Sequence, residues 1–285
     1  MSVGRCLAIA LALAVVASAP ARALGADDAA PQGLSEPCAN PAPCASPPAA
    51  NGSLWSSNGA PTLPRGRYEV RLVGHTRYGL AEGVELAAQA FIFLALPNAE
   101  LKVRLFEHGP FSVALRPRIS YPSPFLSLVS REGAGGLLPN TTDVPFALQL
   151  EAEGIASYRF ARDHLASARL GLAVAPRASS GDLPLLDFPF LYPRFAPLYT
   201  GAVPRLALGA EGPIAAGLHY GVDVTGYLLL LDDVDGAYAV EPAAELEYRF
   251  SDHVALDAGL RTSIARYPVG TRFHYLPHLD VAVGF

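Results

Sequence analysis

From Arg67 to Phe285, apolar and polar side chains alternate with a period of two in run after run, and turn residues separate the runs. Successive residues of a strand point to opposite faces, so each run reads as a strand with one oily and one polar side. The closing run is typical: Phe285, Val283, Val281, Leu279, Pro277 and Tyr275 share one face. Gly284, Ala282, Asp280, His278 and His274 share the other. Composition agrees with this pattern. Hydrophobic residues make up 51% of the chain and charged residues 16%. Past the N-terminus, however, no apolar run approaches the roughly 20 residues of a membrane helix. Apolarity dealt out in short alternating runs predicts an all-β chain.

Eleven segments carry the alternation: 67–78, 84–96, 99–106, 111–121, 145–160, 165–176, 202–210, 215–230, 237–250, 253–265 and 274–285. Gly79 to Gly83, Pro97-Asn98 and Glu211-Gly212-Pro213 read as turns. Gly154-Ile155 reads as a bulge, because Ile155 breaks the apolar phase kept by Tyr158 and Phe160. Connections alternate in length, short at 107–110, 161–164, 211–214 and 251–252 and longer at 122–144, 177–200, 231–236 and 266–272.

A soluble barrel with an oily inside would alternate in the same way. Three features favour the oily face outside. The polar face mixes Ala, Gly and Ser with Arg and Glu and holds a single lysine, Lys102, as a crowded interior would. Short turns opposite longer loops suit a barrel that crosses a membrane. A barrel of about eleven strands is also too wide to fill with Val, Ala and Leu alone. An odd count is awkward, because single-chain bacterial barrels have even numbers. The expectation is therefore an antiparallel transmembrane β-barrel of about twelve strands with a polar lumen. The missing strand would lie within 51–64, although Pro61 and Pro64 argue against a regular one. Ten strands result if one segment lies outside the wall.

Residues 1–23 read as a secretory signal. Arg5 precedes the apolar stretch Leu7 to Ala17, and Ala21-Arg22-Ala23 is a small-x-small cleavage site. Ala17-Ser18-Ala19 is a second candidate site, and the apolar stretch is too short for an uncleaved anchor. Residues 24–64 read as a disordered linker rich in Pro, Ala, Asn, Ser and Gly. Cys38 and Cys44 within it suit a local disulfide in an oxidising compartment. Metal binding is the alternative, but two cysteines with no histidine nearby make a poor site. Leu54 and Trp55 read as anchors to the barrel rim or the interface. The barrel itself spans 65–285.

Inward polar residues carry a signed pattern. The first four segments offer mostly cations: Arg67, Arg71, Arg77, Lys102, Arg104, Arg116 and Arg118. Later segments offer Glu151, Glu153, Asp223, Glu241, Glu245, Glu247, Asp257 and Asp280, with Arg261 and the histidines His219, His253, His274 and His278. One reading is a salt-bridge network that holds the barrel's shape. The other is a transverse field across a constriction, which would bias charged or zwitterionic solutes. A contact between Arg116 and Glu245 across the lumen would sharpen both.

Catalytic signals are weak. Ser263 and His253 share a face but lie ten residues apart, roughly 33 Å along a strand. Gly-x-Ser-x-Gly, phosphate-loop and zinc-protease motifs are absent. His274, His278 and Asp280 share a face, as any three polar residues of one lumen strand would, so no metal or cofactor is assigned. The loop aromatics Phe188, Phe190, Tyr192, Phe195 and Tyr199 suit a cover over the barrel mouth or an interfacial girdle. Net charge is −5, and without a basic patch a nucleic-acid partner is not expected.

Signal, alternating body, alternating connections and the Phe285 end together resemble a bacterial outer-membrane β-barrel over about residues 65–285. The stretch from Arg65 through Pro122 is similar to poorly characterised porin-like barrels, from which no functional residue transfers. The resemblance implies an outer-membrane location, lipids as surroundings, and an assembly machinery that reads the closing strand through Phe285, Val283, Val281 and Tyr275. It also implies a passive or weakly selective pore for small solutes. A structural or surface-interaction barrel with a plugged lumen is the second expectation, and a membrane-embedded lipid-modifying enzyme the third.

Overall fold

A computed structural model describes residues 55–130, 144, 146–161, 163–176, 190–229, 238–267 and 270–285. The expected signal, most of the linker and the Cys38–Cys44 pair lie outside the described residues. Twelve strands close one barrel in sequence order: β1 Tyr68–Arg71, β2 Thr76–Ala81, β3 Val84–Ala88, β4 Asn98–His108, β5 Phe111–Ser120, β6 Gln149–Phe160, β7 His164–Val174, β8 Ala202–Ala215, β9 Leu218–Leu228, β10 Tyr238–Arg249, β11 Val254–Tyr267 and β12 Gly270–Gly284. Every neighbour pair is antiparallel, and β1 seals against β12. Tyr68 and Phe285 exchange backbone hydrogen bonds at that seam, at 3.0 and 2.9 Å. We call the end that holds Phe285 the near end.

The outward face is apolar and the inward face ionic. Leu170, Leu208 and Leu279 are each about three-fifths exposed (68%, 58% and 63%), while Glu69, Glu85, Lys102, Glu153 and Glu241 are buried. A water-soluble barrel would show the reverse, because exposed leucine and buried charge both cost free energy in water. The alternation thus has its oily side outside.

The count of twelve comes from a different place than 51–64. Segment 67–78 is not one strand but the hairpin β1–β2, turned at Leu72–His75. The Asp280 carboxylate fixes that turn by accepting the Val73 and Gly74 amides at 2.9 and 2.8 Å. The register sets Tyr68 opposite Tyr78 and Glu69 opposite Arg77, so odd residues stay inward on both arms and the periodicity conceals the reversal. Segment 84–96 likewise shortens to β3. Beyond Ala88 the chain leaves the wall, and Asn98 closes the loop by bonding the Gln89 amide and the Leu96 carbonyl.

Two local expectations fail for physical reasons. Gly154-Ile155 is not a bulge: β6 pairs in unbroken register with β5 and β7, and Ile155 simply points inward. Glu211-Gly212-Pro213 is not a turn but part of β8, and the chain reverses at Ala216-Gly217, where Gly217 has φ 73°. Pro213 fits there because the β8–β9 register slips between Pro213 and Ala215, a place that spares a ladder donor.

Two long connections contain helices. Helix α1 spans Ser123–Ser130 and α2 spans Tyr192–Thr200, the latter begun by a proline in its first turn and ended at Gly201 with φ 80°.

Candidate functional site

The near end of the lumen is filled by residues 55–64, the last ten of the stretch read as disordered linker. They form no strand. Their backbone and hydroxyl groups are instead held by wall side chains, as buried polar groups must be. Ser56 donates from its amide (2.7 Å) and its hydroxyl (2.8 Å) to Glu69 of β1. The Ser57 hydroxyl and the Asn58 amide donate to Glu211 of β8. The Ala60 amide donates to Ser157 Oγ of β6 at 2.9 Å, and the Leu63 amide to Glu85 of β3 at 2.9 Å. Lys102 Nζ and Arg77 Nη1 donate to the Ser57 carbonyl at 3.0 and 3.2 Å. The segment therefore reaches strands on all sides of the lumen.

Its apolar residues Trp55, Ala60 and Leu63 are buried as well. Trp55 packs on Ala255 and Ala282, and Ala60 packs on Ala114 and Ile155. The inward Ile155 is thus the seat of Ala60. Glycines let the segment lie close to the wall. A Cβ on Gly79 would strike the Pro64 carbonyl, and one on Gly59 would sit 2.5–2.8 Å from Leu165 Cδ2, Ser167 Oγ and Ser157 Oγ.

Above this plug, the inward charges pair mostly with near neighbours. Arg116 binds Glu153, with a 2.8 Å bond from Nε, and lies 3.8 Å from Glu100. Arg118 binds Glu100 (Nε at 2.9 Å) and lies 3.6 Å from Glu151. Arg205 adds bonds to Glu151 and Glu153, and Arg169 binds Asp223. Arg71 bridges Glu69 (2.6 Å), Glu247 (2.7 Å) and Asp257 (3.6 Å), and Arg249 also holds Glu247 at 2.7 Å. Arg104 stays at the near rim, paired with Glu82 at 3.0 Å and Glu107 at 2.5 Å.

The structure does not bring Arg116 to Glu245. Glu245 lies beside Asp257 and His278, the latter 3.1 Å from the Asp257 carboxylate. His274, His278 and Asp280 do not converge either. Asp280 caps the β1–β2 turn, and His274 sits opposite Ser263 toward the far end. Arg261 lies 3.8 Å from Glu241. Val281, Val283 and Tyr275 point outward on β12, with Tyr275 70% exposed.

The far mouth carries a lid. Helix α2 seats Tyr192 and Ala196 on Val203, Tyr227, Leu229, Ala239 and Ala265 of the wall. Phe195 and Leu198 join Leu126 and Val129 of α1 over Ala147 and Ala175. Phe125 and Phe195 stack at 5.7 Å, and Arg194 clamps Glu241 at 2.7 and 2.9 Å. Of the loop aromatics, Phe190, Tyr192, Phe195 and Tyr199 fold into this cover, and Phe188 lies outside the described residues.

Sequence reasoning passed over Glu69, Glu85 and Glu100 as partners of the cations around them. The signal was present, because all three share the inward phase of Arg71, Lys102 and Arg118. For the plug the hint was Trp55, read as an anchor to the rim or the interface, because 55–64 has no periodicity.

No family model matches the sequence, and no curated protein matches it. Among solved structures, the chain is similar to an anion-selective porin from Comamonas acidovorans, at 13% identity and TM-score 0.37, over 74% of this chain and 57% of that one. It is also similar to the outer-membrane expressed OmpT of Vibrio cholerae, at 11% identity and TM-score 0.39, over 76% of this chain and 63% of that one. The chain spans about three-fifths of the length of either structure. Its own geometry is that of an outer-membrane type of antiparallel β-barrel: an apolar outer wall, an ionic interior, and a first strand hydrogen-bonded to the last.

Proposed function

We propose that the protein is a bacterial outer-membrane channel for small solutes, held closed at rest by residues 55–64. The near end would face the periplasm, where short turns belong. The observation that carries this reading is the chemistry of the plug's contacts. Glu69, Glu85, Glu211, Ser157, Lys102 and Arg77 hold it by hydrogen bonds, with Trp55, Ala60 and Leu63 as its buried apolar residues. Water can replace these hydrogen bonds on both partners when the segment leaves. A polar wall would remain, suited to hydrated solutes.

The lid supports a second reading, a permanently closed barrel, because its apolar seat on Tyr227, Ala239 and Ala265 has no equivalent exchange with water.

Planar-bilayer recording of the full chain against Gly79→Val separates the two. The chain holds a single tryptophan, Trp55, inside the plug, so its emission reports whether the valine has evicted the segment. Deleting 55–63 makes the same test if β2 absorbs the valine. The channel reading expects rare openings for the unmodified protein and steady current once the plug is out. Plug eviction without current would leave the closed barrel standing.

A further inference from the structure

We propose that Glu245 of β10, Asp257 of β11 and His278 of β12 form a binding site for a divalent transition-metal cation in the lumen, just above the plug. One donor atom from each residue lies within 4.8 Å of the other two, and His278 Nε2 is already 3.1 Å from Asp257 Oδ1. Two ligands on one tetrahedral zinc ion stand about 3.4 Å apart, given metal–ligand distances near 2.1 Å. Glu245 has only to swing inward by roughly an ångström to complete three protein ligands, leaving a fourth position toward the lumen.

Three strands hold these side chains in place. Gly221 faces Glu245 on β9, and Gly259 faces His278 on β11. A Cβ on either glycine would strike the Glu245 carboxylate or the His278 ring. Both ligands lie flat across bare backbone, on rigid strands rather than on a loop.

Charge gives an independent argument. Among the described residues, Glu245 alone of the inward carboxylates makes neither a hydrogen bond nor an ion pair, although it sits against a second carboxylate. Arg71 lies 3.6 Å from Asp257 but is shared with Glu69 and Glu247. Two adjacent carboxylates inside a barrel wall are costly without a counter-charge, and a divalent cation between them offsets that repulsion. Imidazole with two carboxylates suits zinc and its neighbours rather than calcium, which prefers oxygen ligands alone.

The test is titration of the refolded full chain in detergent with Zn2+, alongside His278→Ala, Glu245→Gln and His274→Ala. The last changes an inward histidine of the same strand outside the cluster. One equivalent should bind to the unmodified chain and to His274→Ala, and binding should be lost in the other two. A variant that fails to fold is replaced by Co2+ titration of the unmodified chain, where visible bands of a four-coordinate nitrogen–oxygen site are expected. No binding, colourless Co2+ uptake, or Zn2+ binding that persists in a folded His278→Ala or Glu245→Gln chain would overturn the proposal.

Discussion

The two ends of the barrel are closed by different physics. At the near end, an irregular segment is held through its amides, carbonyls and hydroxyls by Glu69, Glu85, Glu211, Ser157 and Lys102. At the far end, two helices bury Leu126, Phe195, Leu198 and Tyr192 against one another and against inward wall residues. A plug bond to a charged side chain contributes about 1.5–3 kcal/mol net and the neutral bond to Ser157 about 0.5–1.5 kcal/mol, and water takes the place of each when it breaks. Burying a leucine or phenylalanine contributes about 1.5–3 kcal/mol, and water offers nothing in return. The plug's hydrogen bonds can therefore be exchanged for water, whereas the lid's apolar contacts cannot.

The largest expected effect is at the lid. Leu198→Ala opens a cavity among Leu126, Phe195 and Ala175, and should lower unfolding stability in urea by about 2–5 kcal/mol. Trp55 emission in the folded state should not change. A red-shifted emission from this variant would mean that the two closures are coupled and would break the comparison.

The next effect is at the plug. Gly59→Ala places a methyl 2.5–2.8 Å from Leu165, Ser167 and Ser157, and such overpacking costs about 1–3 kcal/mol. The segment can relieve the clash by leaving, so Trp55 emission should shift to the red while the urea midpoint moves less than for Leu198→Ala. An unchanged emission with a large loss of stability would show that the plug is a core element after all.

How far these features could be read from sequence follows from the same contrast. Alternation located the wall, its inward acids and bases and its oily exterior, because strand parity transmits burial directly into residue order. It missed the β1–β2 reversal, since pairing Glu69 with Arg77 keeps odd residues inward on both arms. It read Ile155 as a break because nothing in 55–64 announces that Ala60 will fill the lumen beside it. A segment held largely through its backbone amides and carbonyls leaves little periodic mark on its side chains. The grouping of Glu245 with Asp257 and His278 was hidden for another reason: it depends on register between three strands, which alternation within each strand does not specify.

The smallest effect sharpens the comparison most. Ser157 Oγ accepts the Ala60 amide and also pairs with Ser167 Oγ at 2.8 Å. Ser157→Ala removes both bonds but keeps the wall's volume nearly unchanged, and the expected loss is about 0.5–1.5 kcal/mol. The loss should be local, because the Ala60 amide regains a partner only when water enters beside it. Hydrogen exchange at Ala60 should then accelerate roughly tenfold, since 1.4 kcal/mol is a factor of ten in an opening equilibrium. Amides of α1 and α2 should exchange at unchanged rates. Equal acceleration at both ends would show that the barrel opens as one unit, and the plug would lose its standing as a separable part.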